Sequence, residues 1–329
     1  MTRIPPLLQR LLPLLALTAA AVAPGAARAA YPEQPIKMIV AYAAGGGTDI
    51  IARVLAPYIG KHLGNNASIV VINRAGAGGG IGFAELANAQ PDGYTIGFIN
   101  TPNVLTIPIE RKVNYHWSGY DLLGNVVDDP GNFSVHNDTP VKNLAELVAY
   151  AKANPGKVSY GTTGIGSDDH LAAMMFERAA GVKLTHVPFK GAAEVHQSIV
   201  GKQIYMASMN IGEALQYEKG GSPMRNLGQM STSRSTLAPN LPTFKEQGFD
   251  IVMASLRGVA APKGLPPAIR EQLVSAVQKA VADPEFQQKA ATYFAPLRYL
   301  PPAKYDTELR ETEGAFKQLW KDMPWGENK

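Results

Sequence analysis

At 329 residues, 46 % of them hydrophobic and 18 % charged, the chain is long enough to bury two separate cores. Its formal charge is +4, and the basic residues are scattered without runs or interleaved aromatics, which argues against nucleic acid as a partner. With no cysteine, a disulfide framework, a thiol nucleophile and a thiolate metal site are all excluded.

The first segment reads as an address rather than as structure. Arg3 and Arg10 accompany an apolar stretch, Leu11 to Val22, and Ala27-Arg28-Ala29 follows with small residues at alternate positions. That is the pattern of a secretory signal, predicting export and cleavage near Ala29. A membrane anchor would need about 20 apolar residues, and Pro13 and Pro24-Gly25 weaken that alternative further. Removal of 1–29 leaves roughly 300 residues, still ample for two lobes.

Strand and helix patterns then alternate. Ile36–Val40 reads as a strand and Asp49–Leu63 as a helix; Ser68–Ile72 is a strand, Ile81–Ala89 a helix, and Tyr94–Ile99 a strand after the turn Pro91-Asp92-Gly93. This β-α-β-α-β order predicts a parallel sheet covered by helices. The pattern restarts at Asn143-x-x-Glu146, a capping-box spacing, ahead of a helix ending at Asn154-Pro155-Gly156. Val158–Tyr160, Thr185–Val187 and Ile204–Ser208 follow as strands, with Leu171–Ala180 and Val195–Val200 as helices between them. Ser167 is placed to cap the first of these helices. Helical spacing returns after Pro266-Pro267 and again from Pro302 to Trp320.

Two extended apolar segments, roughly Leu122–His136 and Asp250–Ala261, separate these blocks. A chain that leaves the first lobe by one and returns by the other makes a discontinuous lobe of 30–131 plus 254–329 and a second lobe of 132–253. The cleft between them would lie at the carboxyl ends of the strands, where open α/β sheets bind ligands.

The stretch "AYAAGGGTDIIAR", Ala41 to Arg53, is the most informative. It is not a dinucleotide fingerprint, because Ile50 stands where the third glycine belongs and Asn73 where a ribose-binding acid would end the second strand. It is not a P-loop, which needs Gly-Lys-Ser/Thr. "GIGSDDH" lacks the flanking glycines of a hydrolase elbow, with Ile165 and Asp169 in their places. No two of the six histidines are four apart, and Asp168-Asp169-His170 diverge on a helix, so no metal or cofactor is expected. Acids there complement a helix dipole. The remaining reading is an anion held by backbone amides at a helix N-terminus. "AGAGGGIG", "GTTGIGS" and "KGAA" repeat the style, so four helix starts could converge on one cleft.

Taken together, "YPEQPIKMIVAYAAGGGTDIIAR", "VVINRAGAGGGIG", "PDGYTIGF", "VSYGTTGIGSDDHL", "HVPFKGAAE" and "RGVAAPKGLP" resemble the Bordetella uptake gene (Bug) family. These are the solute-binding proteins of tripartite tricarboxylate transporters, and the likeness runs through the whole mature chain. It implies a non-enzymatic, periplasmic protein with the two-lobed α/β fold of type II binding proteins and two crossing interlobe connections. It also implies a carboxylate in the cleft, often through bridging waters, and delivery to membrane permease subunits by a monomer. The alternative is an exported carboxylate-binding sensor module that feeds a signalling partner instead of a permease.

Carried over by position, the resemblance implies that Tyr42 packs on the ligand. Gly46 and Thr48 would offer amides or a hydroxyl, and Asp49 would orient a water or a ligand amine. Gly78 and Gly79 would form the floor, with Asn100 and Thr101 from the third strand. Thr162, Thr163, Gly166 and Ser167, then Gly191, Ala192 and Asn210, would come from the second lobe. The chain departs from the family pattern at Ala41 and Ala44, where prolines are common, and at Leu256 and Arg257, where a tryptophan and an uncharged polar residue are common. Arg257 is expected either in a salt bridge or facing a second ligand carboxylate through its two-pronged guanidinium. The latter would make the ligand a dicarboxylate, with aromatic diacids open if Tyr42 stacks.

Overall fold

The computed structural model describes residues 31–326. The expected export signal lies outside them. The chain opens with β1 (Ile36–Val40), α1 (Gly47–Leu63), β2 (Ile69–Asn73), α2 (Gly80–Ala87), β3 (Thr95–Asn100) and α3 (Asn103–Glu110). β4 (Tyr120–His136) follows, then α4 (Leu144–Ala153), β5 (Ser159–Thr162), α5 (Asp168–Ala180), β6 (Thr185–Pro188), α6 (Ala192–Val200), β7 (Met206–Asn210), α7 (Ile211–Lys219) and β8 (Met224–Gln229). The chain closes with β9 (Ala254–Pro262), α8 (Pro267–Ala282), α9 (Pro284–Thr292), β10 (Leu297–Leu300) and α10 (Pro302–Asp322).

Local chemistry sets several boundaries. Asn143 accepts the Glu146 amide at 2.8 Å while Glu146 reaches back to the Lys142 amide at 2.7 Å, a reciprocal cap shifted by one residue. Ser167 accepts the His170 amide and starts α5 three residues before its apolar face begins. Gly181 ends that helix in the left-handed conformation, φ 62°. α3, α7, β8, α9 and β10 are elements that periodicity does not announce. α3 carries Pro108 inside it, and β10 has four half-buried residues without alternation.

The ten strands form one continuous sheet in the order β2-β1-β3-β9-β4-β7-β5-β6, with β8 and β10 also on β4. β1, β2 and β3 are parallel, as are β7, β5 and β6. β4 joins the two blocks. From Tyr120 to Pro130 it pairs with β9, and from Gly131 to Val135 with β7. β9 runs back between β3 and β4. α8 packs on α1, and α10 on α3 and β4, so the C-terminal helices cover the N-terminal block. Among the described residues no helix is long and apolar enough to cross a membrane.

This topology puts the C-terminal ends of β1 and β3 opposite those of β5 and β7. The loops that follow these strands meet between the two blocks.

Candidate functional site

The glycine run after β1 is held in shape from within. Gly45 has φ 85°, a conformation that favours glycine, and its amide donates to Asp49 at 2.9 Å. The same carboxylate takes the Arg53 guanidinium at 3.0 Å and the Asn73 side-chain amide at 2.9 Å. Burial pushes the Asp49 carboxyl up, but these three partners outweigh it and hold it below its usual value. Asp49 is therefore a staple for the loop. The expectation that it orients a water or a ligand amine is not met, because its oxygens are committed.

Beyond that staple, α1 and α6 point their N-termini at each other. A side chain on Gly46 would meet the Ala192 amide nitrogen at 3.7 Å. At the start of α1 the Gly47 amide donates to Glu213 outside the helix, whereas in α6 the Glu194 amide is taken by the Gly191 carbonyl at 3.1 Å. Between them lies a cavity of about 20 Å3, room for roughly one water-sized group. Tyr42, Gly46, Thr48 and Asn100 line it from the N-terminal block, and Thr163, Ala192 and Asn210 from the other, with Arg257 behind. All of these carry a ligand-binding expectation from the sequence.

Four further lining residues carry none: Gly47, Asp168, Glu213 and Ser255. Asp168 was legible within "GIGSDDH" but fitted a helix-dipole role. Glu213, in "NIGEAL", has no motif around it; only the start of α7 at the cleft exposes its role.

These residues form a buried charge cluster. Glu213 Oε1 accepts the Gly47 amide at 2.7 Å, across the cleft. Arg257 Nη2 sits 3.1 Å from Asp129 Oδ2, 2.9 Å from Asn210 Oδ1 and 3.3 Å from Glu213 Oε1. Asn210 in turn donates to Asp168 Oδ2 at 2.6 Å. Arg257 is 3 % exposed, so bulk solvent screens these contacts little. Burial drives the Asp129 carboxyl up to about 7 against the pull of Arg257. Burial also raises Asp168 and Asp169, which lie side by side and repel. Burial works to lower Arg257, yet Asp129, Glu213 and Asp168 leave it raised and charged.

The salt-bridge expectation for Arg257 is thus the one the geometry matches. Its Nη2 is committed to the protein's own Asp129, Asn210 and Glu213, while its buried Nε has no hydrogen-bond partner.

The other expected residues support the loops without lining the cavity. Gly79 faces Phe83, and a Cβ there would come within 2.8 Å of its ring. Gly78 abuts Gly164 across the cleft. Thr101 ties β3 to β9 by accepting the Leu256 amide at 3.0 Å. Thr162 bonds His186 at 2.7 Å, and the Gly166 carbonyl accepts the Thr106 hydroxyl at 2.7 Å. Ser167 and Gly191 are the caps of α5 and α6. A larger groove, about 680 Å3, opens to solvent along the Gly78–Gly164 seam. The buried polar groups converge on the small cavity instead, which makes it the stronger site.

The model of the TctC family, the tripartite tricarboxylate transporter family receptors, matches residues 51–295. A protein from the gbd 5' region of Cupriavidus necator is 34 % identical over 285 residues, covering 86 % of this chain and 85 % of that one. BugT of Bordetella pertussis is 32 % identical over 243 residues, covering 73 % and 74 %. Among solved structures, the periplasmic binding protein BugD superposes with a TM-score of 0.83 at 32 % identity, covering 89 % of this chain and 98 % of its own. An R. palustris protein solved with adipate gives 0.83 at 25 % identity, covering 88 % and 97 %.

Proposed function

Since the chain belongs to the TctC family of tripartite tricarboxylate transporter receptors, we propose that it captures a small carboxylate between its two blocks, which part to admit it at the site now reduced to the small cavity. It would do so in the periplasm and hand the solute to membrane permease subunits. The family is one of receptors and not of enzymes.

One observation carries the reading. A carboxylate already sits on the glycine loop: Glu213 Oε1 takes the Gly47 amide at 2.7 Å. Oriented N–H groups and the positive end of the α1 dipole favour an anion at that point whatever molecule supplies it. A solute carboxylate arriving there would replace Glu213 on the same donors. The adipate found with a related protein supports the ligand class. The dicarboxylate preference expected from Arg257 is not carried into the proposal, because its Nη2 is occupied by Asp129, Asn210 and Glu213.

The opposing blocks would close on the solute by rotation about β4 and β9, with 30–131 plus 254–329 moving against 132–253. A thermal-shift screen against mono-, di- and tricarboxylates tests the reading, since a ligand that binds the folded state alone raises its melting temperature. Failure of every carboxylate to shift the transition would count against it.

A further inference from the structure

We propose that Trp325, on the tail that follows α10, is a latch between the two blocks: its indole seats against the loop from Thr163 to Ser167 when the blocks close and leaves that seat when they part. The inference rests on the reading that the blocks open and close, and is independent of which solute they take.

The tail is anchored on one block. α10 packs on α3 and on β4. Just past Trp325, a Cβ on Gly326 would stand 3.6 Å from Glu110 Cγ, at the end of α3, and 3.6 Å from the Trp320 ring. Trp320 meets Trp325 edge to face, with ring centroids 4.6 Å apart.

The indole itself reaches the other block, where it is 2 % exposed. A Cβ on Gly166 would come within 3.2 Å of Trp325 Nε1 and 2.9 Å of Thr106 Oγ1. Gly166 has φ 74°, in the left-handed region that favours glycine, so the backbone is bare where the ring approaches. The Thr106 hydroxyl also donates to the Gly166 carbonyl at 2.7 Å, so this one residue takes two contacts from the first block. Its loop carries Thr163 on the wall of the small cavity and ends at Ser167, the cap ahead of Asp168. Trp325 is therefore a positioning residue: a shift of the latch moves a wall of the solute site without touching the solute.

Two features mark the seat as releasable. The indole Nε1–H is buried without a hydrogen-bond partner. Water satisfies that donor when the tail swings out, which offsets part of what burial of the ring contributes. A groove of about 520 Å3 also runs alongside, lined by Ile165, His170, Met174 and His186 with Pro324 and Trp325, so the ring has open space on one side. The cross-block bonds from Glu213 to Gly47 and from Thr106 to Gly166 trade protein partners for water when the blocks part. The apolar surface of an indole gains nothing from water, so its seating biases the pair towards closure.

The chain has no cysteine, so Lys112→Cys and Lys190→Cys place two spin labels without background. Arg111 and Lys190 line the seam groove from opposite blocks, Lys112 is next to Arg111, and both lysines are exposed. Pulsed electron resonance on the full chain, with no solute added, then reads the ratio of open to closed molecules. We expect Trp325→Ala to raise that ratio by about tenfold or more. Trp325→Phe, which refills the seat with a ring, should restore most of the closed form. Glu213→Ala is the control, because it cuts a cross-block bond made by other residues. Distances unmoved by Trp325→Ala but lengthened by Glu213→Ala overturn the latch and leave closure standing. Distances unmoved in both overturn closure and the latch with it. A lower melting temperature for Trp325→Ala with unchanged distances shows that Trp325 only braces α10, and overturns the inference as well. So does an unmutated chain that is already fully open.

Discussion

Glu213 and Gly47 lie 166 residues apart, yet the carboxylate of one accepts the amide of the other at 2.7 Å across the cleft. The bond ties α7 of one block to the N-terminus of α1 in the other. Its loss should loosen the closed arrangement. Glu213→Ala is expected to weaken closure by about 1.5–3 kcal/mol, the range for a hydrogen bond to a charged group. Small-angle scattering should then report a larger radius of gyration for the variant. An identical radius would show that other contacts hold the two blocks together.

Gly47, and not Gly46, is the position with no room for a side chain. A Cβ at Gly47 would overlap Arg257 Nη1 and come within 2.8 Å of Glu213 Cγ, whereas at Gly46 the nearest atoms stand at 3.7 Å or more. Gly46 also has φ −83°, which any residue adopts. Gly47→Val should abolish solute binding while Gly46→Ala retains it. Calorimetry showing the reverse order would put the close approach elsewhere in the loop.

Arg257 offsets three buried acids, so its removal should be felt as instability first. Arg257→Met leaves Asp129 and Glu213 without their cation, and breaking a buried pair in this way costs about 3–5 kcal/mol. The loss should shrink at pH 5, where Asp129, with a carboxyl at about 7, is already neutral. Urea titrations at pH 5 and pH 8 would check both statements. A penalty that is the same at both pH values would mean that Asp129 keeps its charge.

The buried acids also make a signed prediction for the unmutated chain. Burial raises Asp129 and Asp168 above their unfolded values, so the folded state holds more protons than the unfolded one. Their contribution is fully present below about pH 4 and is lost as pH rises through about 7. Asp168→Asn removes part of that loss. Relative to the unmutated chain, the variant should gain about 1–3 kcal/mol of stability on going from pH 5 to pH 8. Parallel stability curves for the two proteins would contradict this.

His170 and His186 act in the opposite direction. Their rings stack at 4.0 Å, and burial lowers them to about 3 and about 4. Both are neutral above pH 6.5, and the unfolded chain gains protons that the folded one refuses as pH falls below that point. His186→Phe should therefore flatten the acid limb of the stability curve between about pH 6 and 4. An unchanged acid limb would show that the pair opens to accept a proton.

Much of the fold was written in local pattern. Apolar runs bounded by glycine and proline placed β1, β2 and β3, and the caps Asn143 and Ser167 marked the starts of α4 and α5, because those signals act over a few residues. The glycine loops could be recognised as helix starts for the same reason. The family could be read from them too, since the motifs that carry the resemblance lie within the loops.

What the sequence could not decide was which side chains share a space. Asp129 on β4, Asp168 on α5, Glu213 on α7 and Arg257 on β9 are far apart along the chain, and no spacing rule links them. They meet only because β4 and β9 cross between the blocks and bring the ends of β1, β3 and β7 together. That is why Asp168 looked like a helix-dipole acid and Asp49 like a ligand contact, when the fold puts Asp168 in the buried cluster through Asn210 and commits Asp49 to the loop. Charge in a closed cleft is a property of neighbours, and tertiary structure alone chooses the neighbours.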